Sequence, residues 1–503
     1  MATSYDTVEY PTLPRILGHP GHMNAVARMF GVPAPAVAKS RVLEIGCGDA
    51  VHLVSVAVTM PDATFVGFDL SSEAIARGNA LVERVGLKNI RLEVGDITDW
   101  EPDAPFDYIL AHGVYSWIPD FVRDALMALV GRALAPSGVA CISYNCYPAS
   151  YTRQMLWEMM KYHVGDRTDP GEKIEKALEL ARFIQLCRPK PPDGEIDLFD
   201  NDVDIVINKQ FRSVLFHDEL APVNRPVYFT DFANHARNNG MRYVAELEPH
   251  VMANGEFPKE IDTLLRTLSR VNPERREQYF DFACLRRFRQ TLVAREPHVP
   301  RGTPDPEAVR ELSIAGNCGT DAIDFASDRP MTFSAGNTAI AVSGPLAKAA
   351  MVALVEARPK RFTFPELVAA ALAKIGRTEI SEDESRELAG DLAAAWTTGL
   401  VLLKGFVPNY ATAVSERPVA SPFARAQLAK DNTATSLLHL SLQFADAPGR
   451  QLVQRLDGTR TVDDLVRELF PLVPAEMGVS EAAFRAGLIS NLKMLAWSGL
   501  LAS

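Results

Sequence analysis

From Arg41 to Asn145 the chain alternates two kinds of apolar pattern, and this alternation limits the possible folds more than any other feature of it. Arg41–Ile45, Thr64–Asp69, Ile90–Val94, Phe106–Ala111 and Val139–Tyr144 are short runs of β-branched, aliphatic and aromatic residues. Between them, His52–Met60, Ser71–Val85 and Phe121–Leu134 carry apolar residues at helical spacing, and Pro136-Ser137-Gly138 predicts a turn before the last strand. Strands that are apolar throughout need cover on both faces, and strands separated by helices pair in parallel. The pattern predicts an α/β fold: a parallel sheet between two helical layers, with its ligand crevice outside the carboxyl ends of the strands.

A chain of 503 residues has room for more than this unit. Residues 150–215 read as mostly helical, with a Pro/Asp/Gly break at 188–201. Phe229–Asn239 predicts a helix ended by Gly240, Arg242–Leu247 a strand, Glu274–Leu285 a helix and Arg287–Ala294 a strand. Two late strands around a helix suit a sheet finished by an antiparallel pair. A Pro/Gly-rich linker, His298 to Glu307, precedes a weak internal repeat. Thr363-Phe364-Pro365-Glu366 and Thr461-Val462-Asp463-Asp464 each open a helix with a Thr cap and an acid at the third position. Longer helices follow (Glu382–Thr398, Glu481–Ser498), stopping at Gly399 and Gly499 before apolar tails. Helix–turn–helix followed by a short strand is winged-helix-like, but acids outnumber bases in the first copy, a field unsuited to DNA.

Composition sets the class. Hydrophobic residues make up 47%, enough for real cores, and the net charge of -11 argues against a nucleic-acid binder. The six cysteines form no C-x-x-C pair and no zinc spacing with histidine, so they read as reduced thiols of a cytoplasmic protein without a metal site. The N-terminal sequence lacks a signal-peptide pattern. The most apolar later stretch, Thr338 to Val355, is broken by Pro345 and Lys348, so no membrane insertion is expected.

The chemistry gathers at the strand ends. Glu44-Ile45 leads into Gly46-Cys47-Gly48-Asp49, where glycines let the backbone turn and approach a ligand. The second strand ends in Asp69, placed to accept hydrogen bonds from a ribose diol, and the third in Gly95-Asp96-Ile97. A nicotinamide dinucleotide would want G-x-G-x-x-G, but Val51 stands at the third glycine's place. Glu44 and Asp49 flank the loop, which suits a sulfonium and an amino group better than a pyrophosphate.

This set resembles the class I S-adenosylmethionine (SAM)-dependent methyltransferases. The resemblance narrows through Ser4-Tyr5-Asp6 to Tyr10-Pro11, His19-Pro20, Ala111-His112-Gly113-Val114-Tyr115-Ser116-Trp117, Ser143-Tyr144-Asn145, His217-Asp218, Pro226-Val227-Tyr228-Phe229 and Phe288-Arg289-Gln290-Thr291-Leu292. These are similar to bacterial methyltransferases with a methyltransferase regulatory domain, such as the rickettsial protein-lysine methyltransferases. The chain departs from that pattern in reading D-T-V-E-Y in the arm, and D-A rather than D-G after the glycines.

The resemblance implies a Rossmann-like methyltransferase sheet with a helical insertion, plus C-terminal α+β winged-helix-like modules. The expected divisions are 1–165 (SAM-binding core with N-terminal arm), 166–215 (helical insertion for dimerisation or as a lid), 216–297 (regulatory region closing the sheet), 298–410 and 411–503 (winged-helix-like). It implies SAM as cofactor, S-adenosylhomocysteine as product, and a cofactor site of Tyr5, Glu44, Gly46, Cys47, Gly48, Asp69, Leu70, Asp96, Ile97, Ala111 and His112. Gly46 and Gly48 would line the methionine end, Asp69 would hold the ribose, and Asp96 with Ile97 would frame the adenine. Tyr5 and Tyr10 lie on an arm able to cover the cofactor. The expected catalytic set is His112, Tyr115, Trp117, Tyr144 and Asn145, where aromatic rings can cage an ammonium.

Amide and nucleobase N-methyltransferases usually carry N-P-P-Y or D-P-P-Y after strand four, where this chain has Ala111-His112-Gly113-Val114. N-methylation of a protein side chain, lysine, by in-line methyl transfer is the leading expectation, with a homodimer possible. The alternatives are a small-molecule or peptide natural-product methyltransferase, and a non-catalytic regulatory protein on the same scaffold.

Overall fold

The computed structural model describes residues 4–10, 12–188, 197–209, 211–252 and 257–503. Strands β1 (Arg41–Ile45), β2 (Thr64–Asp69), β3 (Ile90–Val94), β4 (Phe106–Ala111), β5 (Leu134–Asn145), β6 (Met241–Glu246) and β7 (Phe288–Arg295) form one sheet in the order β3-β2-β1-β4-β5-β7-β6. β1 to β5 are parallel; β7 runs antiparallel to β5, and β6 antiparallel to β7. The chain moves outward from β1 to β3 and then returns to place β4 on the other side of β1. That reversal opens a crevice above the carboxyl ends of β1 and β4.

The predicted strands and helices sit where the apolar pattern placed them; helix Leu198–Ile207 starts inside the break assigned to 188–201, of which 189–196 lie outside the described residues, and two further differences concern β5 and the segment before the regulatory helix. Pro136-Ser137-Gly138 is a bulge inside β5 rather than a turn before it: Phe106 pairs with Leu134, but Tyr108 pairs with Val139. A further amphipathic helix, Lys259–Val271, precedes the regulatory helix Pro273–Cys284. Most of its described side chains are exposed, and Leu265 is buried.

Strand alternation divides the core. Val42, Leu110, Val139 and Cys141 face one layer; Leu43, Ile109, Ala111, Ala140, Ile142 and Tyr144 face the other. The first layer continues without interruption into the module after the linker. Helix Pro20–Met29 lies between them, its Asn24 amide donating to Tyr108 Oη (2.9 Å) and Pro35 O (2.9 Å). The insertion has its own core of Leu156, Met160, Leu178, Phe199, Val203 and Leu215, and its first helix is Ser150–Val164, within the 1–165 span assigned from sequence to the methyltransferase core.

In the C-terminal third, both repeat helices begin with complete capping boxes, Thr363 with Glu366 and Thr461 with Asp464. Each long helix is followed by a strand: Val401–Lys404 pairs with Ser313–Gly316, and Leu501–Ala502 with Val419–Ala420.

One buried ionic cluster fastens the regulatory region to the sheet. Arg289 on β7 is fully buried and donates to Glu246 Oε1 (2.5 Å), to Asp281 Oδ1 and Oδ2 (2.7 and 3.0 Å) and to Glu277 Oε2 (3.1 Å). Its guanidinium also lies 4.2 Å from the Phe229 ring centroid. β6, β7 and helix Pro273–Cys284 thus meet on one cation. Arg289→Ala would leave three buried carboxylates without their shared partner. A loss of about 3–5 kcal/mol is expected in denaturant unfolding; a loss under about 1 kcal/mol would show that water replaces the guanidinium.

Candidate active site

A cavity of about 680 Å3 occupies the crevice at the strand ends. Its floor is the loop after β1. Gly46 and Gly48 have φ of +68° and +56°, and a Cβ at Gly46 would stand 2.7 Å from Val114 Cγ2. Ala50, where the family pattern has glycine, also adopts φ +56° before helix Val51–Ala57. The loop is tied to β2: Gly46 N and Cys47 N both donate to Phe68 O (2.9 and 3.1 Å). Asp69 Oδ2 accepts from Gly48 N (2.8 Å), and its Oδ1 from Ser71 N (2.9 Å). One carboxylate therefore holds the loop and opens helix Ser72–Val85, while facing the cavity.

Glu44, Gly46, Cys47, Gly48, Asp69, Leu70, Asp96, Ile97 and His112 all line the cavity. Burial pushes the Glu44 carboxyl up to about 8, against the pull of Arg15, and its Oε2 has no hydrogen-bond partner among the described residues. Burial also raises the Cys47 thiol, so it is a neutral wall group rather than a thiolate. Asp96 Oδ1 accepts from Thr98 N and Oγ1 (2.9 and 2.8 Å), which directs its second oxygen outward. Leu70 is 55% exposed and gives the cavity an open apolar flank.

Of the expected catalytic residues, His112, Trp117 and Asn145 stand together in the wall. Burial holds His112 well below the usual histidine range, hence neutral; its Nδ1 has no hydrogen-bond partner among the described residues, and its ring meets Phe288 edge-on at 5.9 Å. Asn145 Nδ2 donates to Asn224 Oδ1 (3.1 Å).

Tyr115, Tyr144 and Ala111 correct the sequence expectation, because none of them reaches the cavity. Alternation turns Tyr144 to the opposite face from Asn145; there it stacks on Phe232 (4.1 Å) and its hydroxyl pairs with Thr291 (3.0 Å). Tyr115 is buried in the same layer, with its hydroxyl 3.0 Å from His235 Nδ1 and Arg123 over its ring. Ala111 is fully buried beside them. The side chain of Tyr5 lies outside the described residues.

The N-terminal arm supplies Tyr10, which the sequence placed on a covering arm, together with Thr12, Leu13 and Arg15, which carried no assignment. It is held down at four points: Asp6 accepts from Ser71 Oγ (2.6 Å), Val8 O from His217 Nε2 (2.7 Å), and Asp49 from Thr12 Oγ1, while Arg15 N donates to His52 Nδ1 (3.1 Å). Beyond the loop after β4, the wall is Ser150, Arg153, Gln154, Asn224 and Phe288. His217 and Phe288 carried a motif signal without a role; Asn224 and Arg15 carried none. Among the described residues, no group of three or more His, Cys, Asp or Glu is arranged to hold a metal ion, and no helix is long and apolar enough to cross a membrane.

A parallel sheet with an antiparallel last pair, a glycine loop pinned by the acid of β2, and acids along the crevice define a SAM-dependent methyltransferase. Comparison with known proteins extends this. Residues 37–182 match a model described as "Methyltransferase domain", 211–295 the "Predicted methyltransferase regulatory domain", and 416–481 the "PKMT, C-terminal winged helix domain". The chain is 31% identical to RP789 of Rickettsia prowazekii, over 75% of this chain and 69% of that protein. It is 30% identical to RP028 of the same organism, over 46% of this chain and 94% of that one. Among solved structures, PKMT2 from Rickettsia typhi in complex with AdoHcy shares the fold at 22% identity, with a TM-score of 0.84 over 98% of this chain and 100% of that chain. The chain belongs to the methyltransferase family with a regulatory domain that includes RP789.

The residues present fit the family's cofactor. Glu44 lines the cavity and has a buried carboxyl oxygen without a hydrogen-bond partner among the described residues; a carboxylate there is the partner an α-ammonium needs. With Glu44 protonated below about 8, entry of a cation must expel its proton. Binding of S-adenosylhomocysteine should therefore strengthen with rising pH up to about 8, by up to about tenfold per unit. Calorimetry at pH 7 in two buffers of different ionisation enthalpy should show proton release, and Glu44→Gln should abolish it. A pH-independent affinity in the unaltered protein would rule this pairing out.

Proposed function

We propose that the chain N-methylates a lysine side chain of a protein acceptor. The observation that carries this reading is the make-up of the cavity's far end. His112 and Trp117 from the loop after β4, Asn145 and Asn224, and Phe288 of β7 surround it, and Phe288 is 42% exposed, so this end meets solvent. A side chain on a larger body can enter there. The likeness in fold to PKMT2 and the matching winged-helix model support the same reading.

Gly46, Gly48 and Glu44 would hold the methionine end of the cofactor, Asp69 the ribose hydroxyls, and Asp96, Leu70 and Ile97 the base. When bound, the cofactor supplies a methyl group already activated on a sulfonium. The chain's own residues must then align an amine and keep it neutral, since a free lysine has a pKa of about 10.4. Trp117 and Phe288 replace water around the amine and lower that value. Asn145, whose Nδ2 is committed to Asn224, keeps Oδ1 free to accept an N–H of the amine and aim its lone pair. Neutral His112 adds no positive charge that would repel the incoming amine. Together these residues would keep the amine's lone pair in line with the methyl group that a bound cofactor would supply, sulfur being the leaving atom.

Incubation with methyl-labelled cofactor and a panel of lysine-rich proteins should place the label on lysine. Asp69→Ala should weaken cofactor binding by about 1–3 kcal/mol. Label confined to small-molecule extracts would replace this reading with a small-molecule acceptor.

A homodimer fits the insertion. Tyr162, Phe183 and Leu186 are 90%, 61% and 83% exposed on its two long helices, more apolar surface than a lone helical unit normally leaves to water. Sedimentation should give twice the chain mass, and Phe183→Glu with Leu186→Glu should halve it. A monomer at all concentrations refutes the pairing.

A further inference from the structure

Outside the cavity, aromatic side chains from three separate stretches form a continuous ridge. Tyr147 stacks on Tyr151 (centroids 4.1 Å, planes at 23°) and meets Tyr228 at 5.3 Å. The hydroxyls of Tyr151 and Tyr228 are 3.4 Å apart, and Tyr228 meets Phe282 edge-on at 6.2 Å. Phe282 then meets Tyr279 at 6.0 Å. Tyr151, Phe282 and Tyr279 are 52%, 45% and 39% exposed. The residues lie just after β5, just before helix Phe229–Asn238, and on the regulatory helix Pro273–Cys284. None is needed to fill the core, and single exposed aromatics need no explanation, but a contiguous row does.

The ridge adjoins the cavity mouth. Tyr147 Oη donates to Gln154 Oε1 (2.9 Å), and Gln154 is a wall residue, as are Ser150 beside Tyr151 and Pro226 two residues before Tyr228. A molecule small enough to lie within the cavity would not reach it; only an acceptor extending past the mouth would. One ring at the far end already carries a cation, with the Arg275 guanidinium 5.7 Å from the Tyr279 centroid. Phenol faces attract ammonium and guanidinium groups and pack against aliphatic stems.

We propose that the Tyr151–Tyr147–Tyr228–Phe282 ridge is the docking surface for the polypeptide segment flanking the methylated residue, and that it selects basic segments lying across the mouth. This rests on the protein-acceptor reading above. It assigns the substrate's neighbouring residues to the regulatory region and the start of the insertion, and leaves the reacting amine to the cavity.

The test uses the full chain with labelled cofactor, a protein acceptor identified in the lysine-rich panel, and a short peptide of one lysine between two alanines. Tyr151→Ala and Phe282→Ala should each raise KM for the protein about tenfold, with kcat changed less than twofold. Their KM for the short peptide and their calorimetric affinity for S-adenosylhomocysteine should stay as in the unaltered chain. Tyr151→Phe, which keeps the ring, should restore the KM, and acceptors whose flanking basic residues are replaced by alanine should lose the difference. An unchanged protein KM in the Tyr151→Ala, Phe282→Ala double variant overturns the proposal, as does a change of oligomeric state in step with KM, which would make the ridge a contact between copies. If the unaltered chain labels no protein at all, the protein-acceptor reading fails first. If it labels protein equally with and without the ridge, only the ridge assignment fails.

Discussion

The crevice exists because β1 must pair in parallel on both sides, with β2 and with β4. A parallel neighbour on each side forces the chain to reverse its direction of travel across the sheet, and at that reversal the helices diverge. Everything else closes around the gap. The arm runs over it, tied down through Asp6, Val8 and Thr12. β5 braces its rim: Ser143 Oγ accepts from Gly113 N (2.8 Å), and Asn145 N donates to Ser116 Oγ (2.8 Å). The loop carrying His112 and Trp117 is therefore held to the neighbouring strand at two points, which is the support a positioned side chain requires.

The appended regions work by different physics on the two flanks of the sheet. Past β5, the fastening is ionic. Arg289 draws Glu246, Glu277 and Asp281 together, and such a cluster favours one arrangement because no partial version satisfies its charges. On the other flank the fastening is apolar, with one core running from Val42 and Tyr108 through helix Pro20–Met29 to Trp396. Histidines line that junction in neutral form: burial lowers His22 to about 4 and His52 to about 3. Both bear on the same elements that set the arm and the cavity floor. The module between the linker and Leu403 is thus packed against the catalytic sheet rather than hung from it, while the last module keeps a core of its own.

Much of this was legible in the sequence because parallel strands are apolar on both faces and announce themselves as short runs. The acids at the ends of β1, β2 and β3 were legible for the same reason, since a carboxylate directly after an apolar run marks a strand end. Side-chain direction was not legible to the same degree. Tyr144 and Asn145 are adjacent in the chain, and only the pleat sends one to the core and the other to the cavity. Tyr115 is an aromatic ring just past the end of β4, where a cage for an ammonium is expected, yet Phe232 and His235, more than a hundred residues on, cover it. Arg15 and Asn224 had no local signature at all: their roles come from long-range approach of the arm and the insertion's exit to the same rim.

The acidic balance of the chain gains a local meaning from the cavity. Glu44, Asp49, Asp69 and Asp96 all face one space, and mutual repulsion together with burial makes that concentration costly in an empty site. The cost is partly relieved by direct neutral donors, as at Gly48 N, Ser71 N and Thr12 Oγ1; of the arginines in the wall, Arg77, Arg153 and Arg287 pair with Glu9, Glu219 and Asp202 outside this group, and Arg15 acts on Glu44. A site arranged in this way is short of positive charge by construction. It gains most from a ligand that brings its own, and an ammonium and a sulfonium on one molecule meet that need better than a phosphate. The same reasoning extends to the far end, where Trp117, Phe288 and the amide pair Asn145–Asn224 are uncharged and the carboxylates of the wall, Asp218 and Glu219, are already engaged by Lys209 and Arg153. One half of the cavity favours charge and the other favours its loss, which is the division of labour that methyl transfer to an amine requires.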